Sequence, residues 1–71
     1  MKEKMIKVAR GYFNGQIGKH LINADNIMTN PVGIGEHGDI IEELEKELAK
    51  VAEYEEKLAV LEKYFTDTEG N

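Results

Sequence analysis

Through the carboxy-terminal half of the chain, apolar side chains recur every three or four residues. Leu44, Val51, Leu58 and Phe65 fall at position a of a heptad, and Ile40, Tyr54 and Leu61 at position d. Glu47 occupies the one d position that is not apolar, while Ile41 and Leu48 at e widen the stripe over its first half. A stripe with this period is the signature of an amphipathic helix. Asp39 followed by Glu42 makes an acidic capping box, and Glu42, Glu43 and Glu45 crowd the end where the helix dipole favours negative charge. No Gly or Pro interrupts the segment before Gly70, and it consists mostly of Ala, Leu, Glu and Lys. The pattern predicts a helix over about residues 39–65, ending near Thr66 and roughly 40 Å long. Glu42 with Lys46, and Glu53 with Lys57, are supportive pairs four residues apart. So long a stripe cannot be covered by its own helix and predicts a partner surface.

The amino-terminal half has a second stripe. Ile6, Ala9, Phe13, Ile17, Leu21, Ala24 and Met28 recur at spacings of three or four, flanked by Met5, Val8 and Tyr12. Against a helix stand Gly11, Gly15 and Gly18, each costing about 1 kcal/mol relative to alanine in a helix interior. Because the stripe keeps its phase across them, a continuous helix over about residues 4–29 is expected; the alternative is a break near Gly15. Gly11 and Gly15 are four apart and Gly18 follows, so one face is nearly free of side chains. That face predicts contact with another helix of the same chain, a second copy or an outside partner.

Between the two segments stands Asn30-Pro31-Val32-Gly33-Ile34-Gly35-Glu36-His37-Gly38, where proline and three glycines stop both helices. The expected fold is therefore all-α: a two-helix antiparallel hairpin in one domain, with a loop over 30–38 and a tail over 66–71. Charge agrees with this. Residues 1–30 carry a net +3 and residues 31–71 a net −8. Folding back antiparallel sets Lys2, Lys4, Lys7 and Arg10 beside Glu55, Glu56, Glu62 and Asp67. Such exposed pairs are typically worth under about 1 kcal/mol each and select orientation more than they stabilise.

Composition narrows function by what it lacks. At 71 residues the chain is short enough to need a disulfide, a metal or a second copy to hold its fold. It has no cysteine, which removes disulfides and thiolate metal sites; it also has no serine, and a single arginine. These absences point away from an enzyme and towards a homo-oligomer, a dimer or higher, assembled as a helical bundle. No apolar run reaches the roughly 18 residues of a membrane span, and no apolar stretch follows Lys2, Lys4 and Lys7 as in a signal peptide. A cytoplasmic location without membrane association is expected.

Four groups invite a chemical reading, and each has a plainer one. Gly15-Gln16-Ile17-Gly18-Lys19-His20 ends like a phosphate loop, but Phe13 and His20 stand where glycine and Ser or Thr are required. Gly33 to Asp39 leads into a helix N-terminus, yet Glu36, Asp39, Glu42 and Glu43 would repel an anion there. Glu36, His37 and Asp39, with His20, carry metal-ligand chemistry without the spacing of a metal motif, and nine residues of helix before Asn30 hold His20 away from the rest. No metal and no cofactor is expected. Tyr12 and Phe13 beside Lys7 and Arg10 could stack on a nucleic-acid strand, but helically spaced aromatics usually form core and the net charge is −5.

The loop just quoted, followed by Asp39-Ile40-Ile41-Glu42 and closing on Leu58-Ala59-Val60-Leu61-Glu62-Lys63-Tyr64-Phe65, resembles a family of small uncharacterised proteins. These are encoded by contractile-tailed phages of marine cyanobacteria and seen in ocean metagenomic sequence. The likeness spans about residues 15–65 and is weakest at the amino terminus. It implies a viral origin and a place in the bacterial host cytoplasm or the virion; it carries over no functional residue. The expected function is a small oligomeric adaptor or assembly protein, its interface built from Gly11, Gly15, Gly18, Leu44, Leu48, Val51, Tyr54, Leu58, Leu61 and Phe65. The competing readings are a nucleic-acid-binding regulator using the basic first helix, and a metal- or small-ligand-binding bundle.

Overall fold

A computed structural model describes residues 1–30 and 39–66 of the chain. They form two helices, α1 (Lys2–Thr29) and α2 (Ile40–Phe65), packed against each other as an all-α antiparallel hairpin. Of the expected loop over 30–38 and tail over 66–71, residues 31–38 and 67–71 lie outside the described residues. Helix α1 runs unbroken through Gly11, Gly15 and Gly18. It closes on backbone hydrogen bonding, the Asn30 N–H donating to the Asn26 carbonyl and the Thr29 hydroxyl to that of Asp25.

Asp39 caps α2 as its position predicts. One carboxylate oxygen accepts from the backbone N–H groups of Ile41 at 3.0 Å and Glu42 at 3.2 Å, satisfying two donors that the first turn leaves unpaired. At the other end Thr66 takes extended angles, and its hydroxyl donates to the Glu62 carbonyl at 2.6 Å.

The seam between the helices differs from the expected stripe on α1. Ile6, Ala9, Phe13 and Ile17 face α2, but the line continues through His20, Ala24 and Ile27, whereas Leu21 is 48% and Met28 60% exposed. The reason is geometric. Three successive four-residue steps from Ala9 to Leu21 each overshoot a full turn by about 40°, and together they rotate Leu21 away from the seam. A three-residue step to His20 restores the phase.

On α2 the heptad reading places the seam correctly. Val51 is buried, and Leu44, Glu47, Tyr54, Leu58 and Leu61 are half-buried, while Ile40 and Phe65 at the ends and Leu48 on the flank are exposed. Among the described residues only Ala24, Ile27 and Val51 are buried, and no large side chain is fully enclosed. Two helices side by side make a single layer, so each keeps most of its circumference in water.

Candidate interaction surface

A polar group is built into the middle of the apolar seam. Glu47 projects from α2 at the vacant d position and meets α1 between two successive turns. The Nδ1 of His20 lies 2.6 Å from Glu47 Oε1, and the Asn23 amide donates to the same oxygen at 3.1 Å. A carboxylate can only accept, so Nδ1 of His20 carries the proton in this arrangement. The His20 side chain is only 12% exposed, and its ring stacks on Tyr54, two turns along α2 from Glu47, with centroids 6.4 Å apart. The hydrogen bond from His20, helped by that from Asn23, holds the Glu47 carboxyl below the usual carboxylate range, against the opposing effect of burial.

Tyr54 also joins this group to an aromatic cluster, its ring lying 6.1 Å from both Tyr12 and Phe13. Lys57 Nζ sits over the Tyr54 ring, 4.7 Å from its centroid. The three rings therefore fill the centre of the hairpin, and the outer one, Tyr12, remains 56% exposed.

The charge pairing expected between the helices reduces to one contact among the described residues. Arg10 grips Glu62 with two nitrogens, Nε at 2.5 Å and the second at 3.2 Å, a bidentate geometry that lysine cannot make. Its hydrogen bond keeps the Glu62 carboxyl below its ordinary range. No described acid of α2 lies within ion-pair distance of Lys2, Lys4 or Lys7, which are exposed, and Glu55 and Glu56 are exposed as well. Asp67 lies outside the described residues. Within α2, Lys57 pairs with Glu53 as predicted, but Lys46 turns to Glu43 rather than Glu42. Glu53 also holds Lys50, so α2 carries a charge-laced outer face.

The predicted interface residues divide into two sets. Leu44, Val51, Tyr54, Leu58 and Leu61 are used within the chain, against α1. Leu48 and Phe65 are exposed, and a methyl group added at Gly11, Gly15 or Gly18 would meet nothing within 4 Å. Hence α2 is not the helix that passes the glycine face. Lys19 and His20 lie inside a continuous helix, where no free backbone amides remain to cradle a phosphate. Among the described residues no three metal-ligating side chains come together. Glu36 and His37 lie outside them.

The His20–Glu47 tie was missed in reading the sequence, although its signal was present as the single polar d position. At the open end of the hairpin a shallow cleft of about 420 Å³ lies between Ile6, Arg10 and Phe65. No described helix is long and apolar enough to cross a membrane. The fold defines the class of protein, a two-helix hairpin held by a mixed apolar and polar seam. No protein family, curated protein or solved structure matches the chain.

Proposed function

We propose that the chain is a small helical interaction protein that works as an oligomer, presenting helix faces to protein partners and catalysing no reaction. One observation carries this reading: Met5, Val8, Tyr12 and Ile22 on α1 are 56–66% exposed, while only three of the described residues are buried. Apolar side chains left in water over one face of a helix mark a surface that another protein covers. A single layer of two helices buries too little to offset the ordering of so many residues, which favours a second copy. The lack of Ser and Cys and the single Arg support a role without chemistry. The resemblance to marine phage proteins suggests an adaptor or assembly factor in a bacterial cytoplasm or a virion.

Sedimentation equilibrium from about 1 to 100 μM, followed alongside by circular dichroism, tests this reading. The expected result is an associating species whose helicity and melting midpoint rise with concentration. A fully helical species of 8.0 kDa across the whole range would overturn it.

The exposure of Lys2, Lys4 and Lys7 favours one second reading, binding of nucleic acid through the basic start of α1. The net charge of −5 opposes it. Fluorescence anisotropy with labelled single- and double-stranded DNA at low salt decides: binding that weakens steeply as salt rises supports this reading, and no binding removes it.

A further inference from the structure

Asparagine followed by glycine is a reactive pair, because glycine carries no side chain to keep its backbone nitrogen away from the asparagine amide. Within the two helices Asn14 alone precedes glycine; Asn23 precedes Ala24 and Asn26 precedes Ile27. Asn14 is exposed, and nothing lies within 4 Å of the point where a Cβ would stand on Gly15. The pair sits near the middle of α1, between the half-buried seam residues Phe13 and Gln16. Asn23, by contrast, is half-buried and its amide is tied to Glu47.

We propose that Asn14-Gly15 is a self-modification site, where local opening of α1 lets Asn14 lose ammonia and become aspartate or isoaspartate. The Gly15 backbone nitrogen gives up its proton to solvent and attacks Cγ of Asn14. The N–Cγ bond forms, the Cγ–Nδ2 bond breaks, and the side-chain nitrogen takes up a proton and leaves as ammonia. The product is a five-membered imide, which water then opens. Cleavage of the bond to Cγ leaves aspartate, and cleavage of the bond to the backbone carbonyl carbon leaves isoaspartate. Water is the sole co-reactant, and nothing is oxidised or reduced.

The helix holds this reaction back. In continuous α1 the Gly15 N–H donates to the Gly11 carbonyl, so the attacking nitrogen is occupied. Ring closure also needs the Asn14 Cβ in the plane of its peptide, which helical angles do not allow. The pair therefore reacts only when this turn opens. Gly11, Gly15 and Gly18 favour opening here, at about 1 kcal/mol of lost helix propensity each relative to alanine.

The two products differ in what they do to the fold. Aspartate leaves the backbone unchanged, whereas isoaspartate inserts one extra carbon and interrupts the hydrogen-bond ladder between Phe13 and Gln16. Ile6, Ala9 and Phe13 then lose their phase with His20, Ala24 and Ile27, and His20 no longer meets Glu47. The chain thus carries a slow, one-way change from a continuous α1 to a broken one.

Incubation of the full chain in mildly alkaline buffer, read by peptide mass mapping and circular dichroism, tests the proposal. Residue 14 should acquire the mass difference between asparagine and aspartate within weeks. In native buffer this should run at least about tenfold more slowly than in strong urea, the factor that an opening cost of about 1.4 kcal/mol gives. Gly15→Ala should slow the reaction in strong urea as well, where no helix protects either chain and only the methyl differs. The isoaspartate fraction, separated by chromatography, should be less helical than fresh protein, whereas Asn14→Asp should match it. Equal rates in the two solvents would overturn the protection by α1. A residue 14 still unmodified after weeks in native buffer would overturn the site, and full helicity of the isoaspartate fraction would overturn the break.

Discussion

The imidazole Nδ1 of His20 and the carboxylate Oε1 of Glu47 lie 2.6 Å apart across the seam, at the one heptad position of α2 where an apolar residue is missing. A polar pair at such a position fixes how two helices slide against each other, because any shift of register leaves both groups without a partner. The pair therefore favours this alignment of α1 and α2, together with the packing of the apolar seam around it.

Breaking it from one side should cost more than removing it. Glu47→Leu completes the apolar stripe but leaves His20 and Asn23 without their acceptor, a loss of about 1–3 kcal/mol. His20→Leu together with Glu47→Leu should recover most of that loss, as replacement of a polar pair by apolar groups often does. Urea titration of the four members of this cycle measures the coupling; additive effects would mean that the contact holds no register.

Acid should weaken the hairpin, and Glu47 should account for a recognisable part of the loss. Its carboxyl is held below its ordinary value of 4.5, chiefly by the hydrogen bond from His20, so the unfolded chain takes up the proton first. Its contribution is therefore complete above that value and disappears as pH falls through the depressed one. Glu53, held down by Lys57, and Glu62, held down by Arg10, act in the same direction but are more exposed. Melting midpoints from pH 7 to 3 should fall less steeply for Glu47→Gln than for the wild type.

Substitutions along α2 should report the register of the seam. Leu58→Ala removes a half-buried side chain and should cost about 1–2.5 kcal/mol, below the 2–5 kcal/mol of a fully buried leucine. Glu56→Ala, on the exposed side, should stay within roughly 0.5 kcal/mol. Equal shifts in melting midpoint for the two would contradict the observed seam.

Gly15→Ala separates the hairpin from the assembly. Nothing lies within 4 Å of the added methyl, so the isolated hairpin should gain about 0.5–1 kcal/mol from helix propensity. At concentrations where copies associate, the same methyl should meet the neighbouring copy and weaken association. Sedimentation and melting measured on one sample distinguish the two effects, and a gain in both would mean that the glycine face is free.

Chelation should leave the melting curve unchanged. Only Nε2 of His20 is left beside the contact of Nδ1 with Glu47, and the described residues gather no set of three ligands around it. A large loss of helicity on dialysis against a chelator would instead favour a metal-held bundle.

Most of the hairpin was legible in the sequence because its signals are local. Asp39 caps α2 through atoms two and three residues away, and the a and d spacing of Leu44, Val51, Tyr54, Leu58 and Leu61 follows from helix periodicity alone. The continuity of α1 through its glycines followed from the phase of the stripe, though three glycines left a break open. Leu21 and Met28 continue the hydrophobic spacing but lie where rotation carries a side chain off the seam, and His20 and Ile27 take those places.

The sequence by itself determined the two helices, their ends and the face that α2 turns inward, since periodicity and capping act over a few residues. The tertiary structure decided what those residues meet. Glu47 finds His20 and Asn23, Arg10 rather than any lysine reaches Glu62, and the glycine face of α1 is left open. Such choices depend on the distance and rotation of one helix relative to the other, set by the summed packing of Ala24, Ile27 and Val51 and the rings around Tyr54, which no local pattern contains.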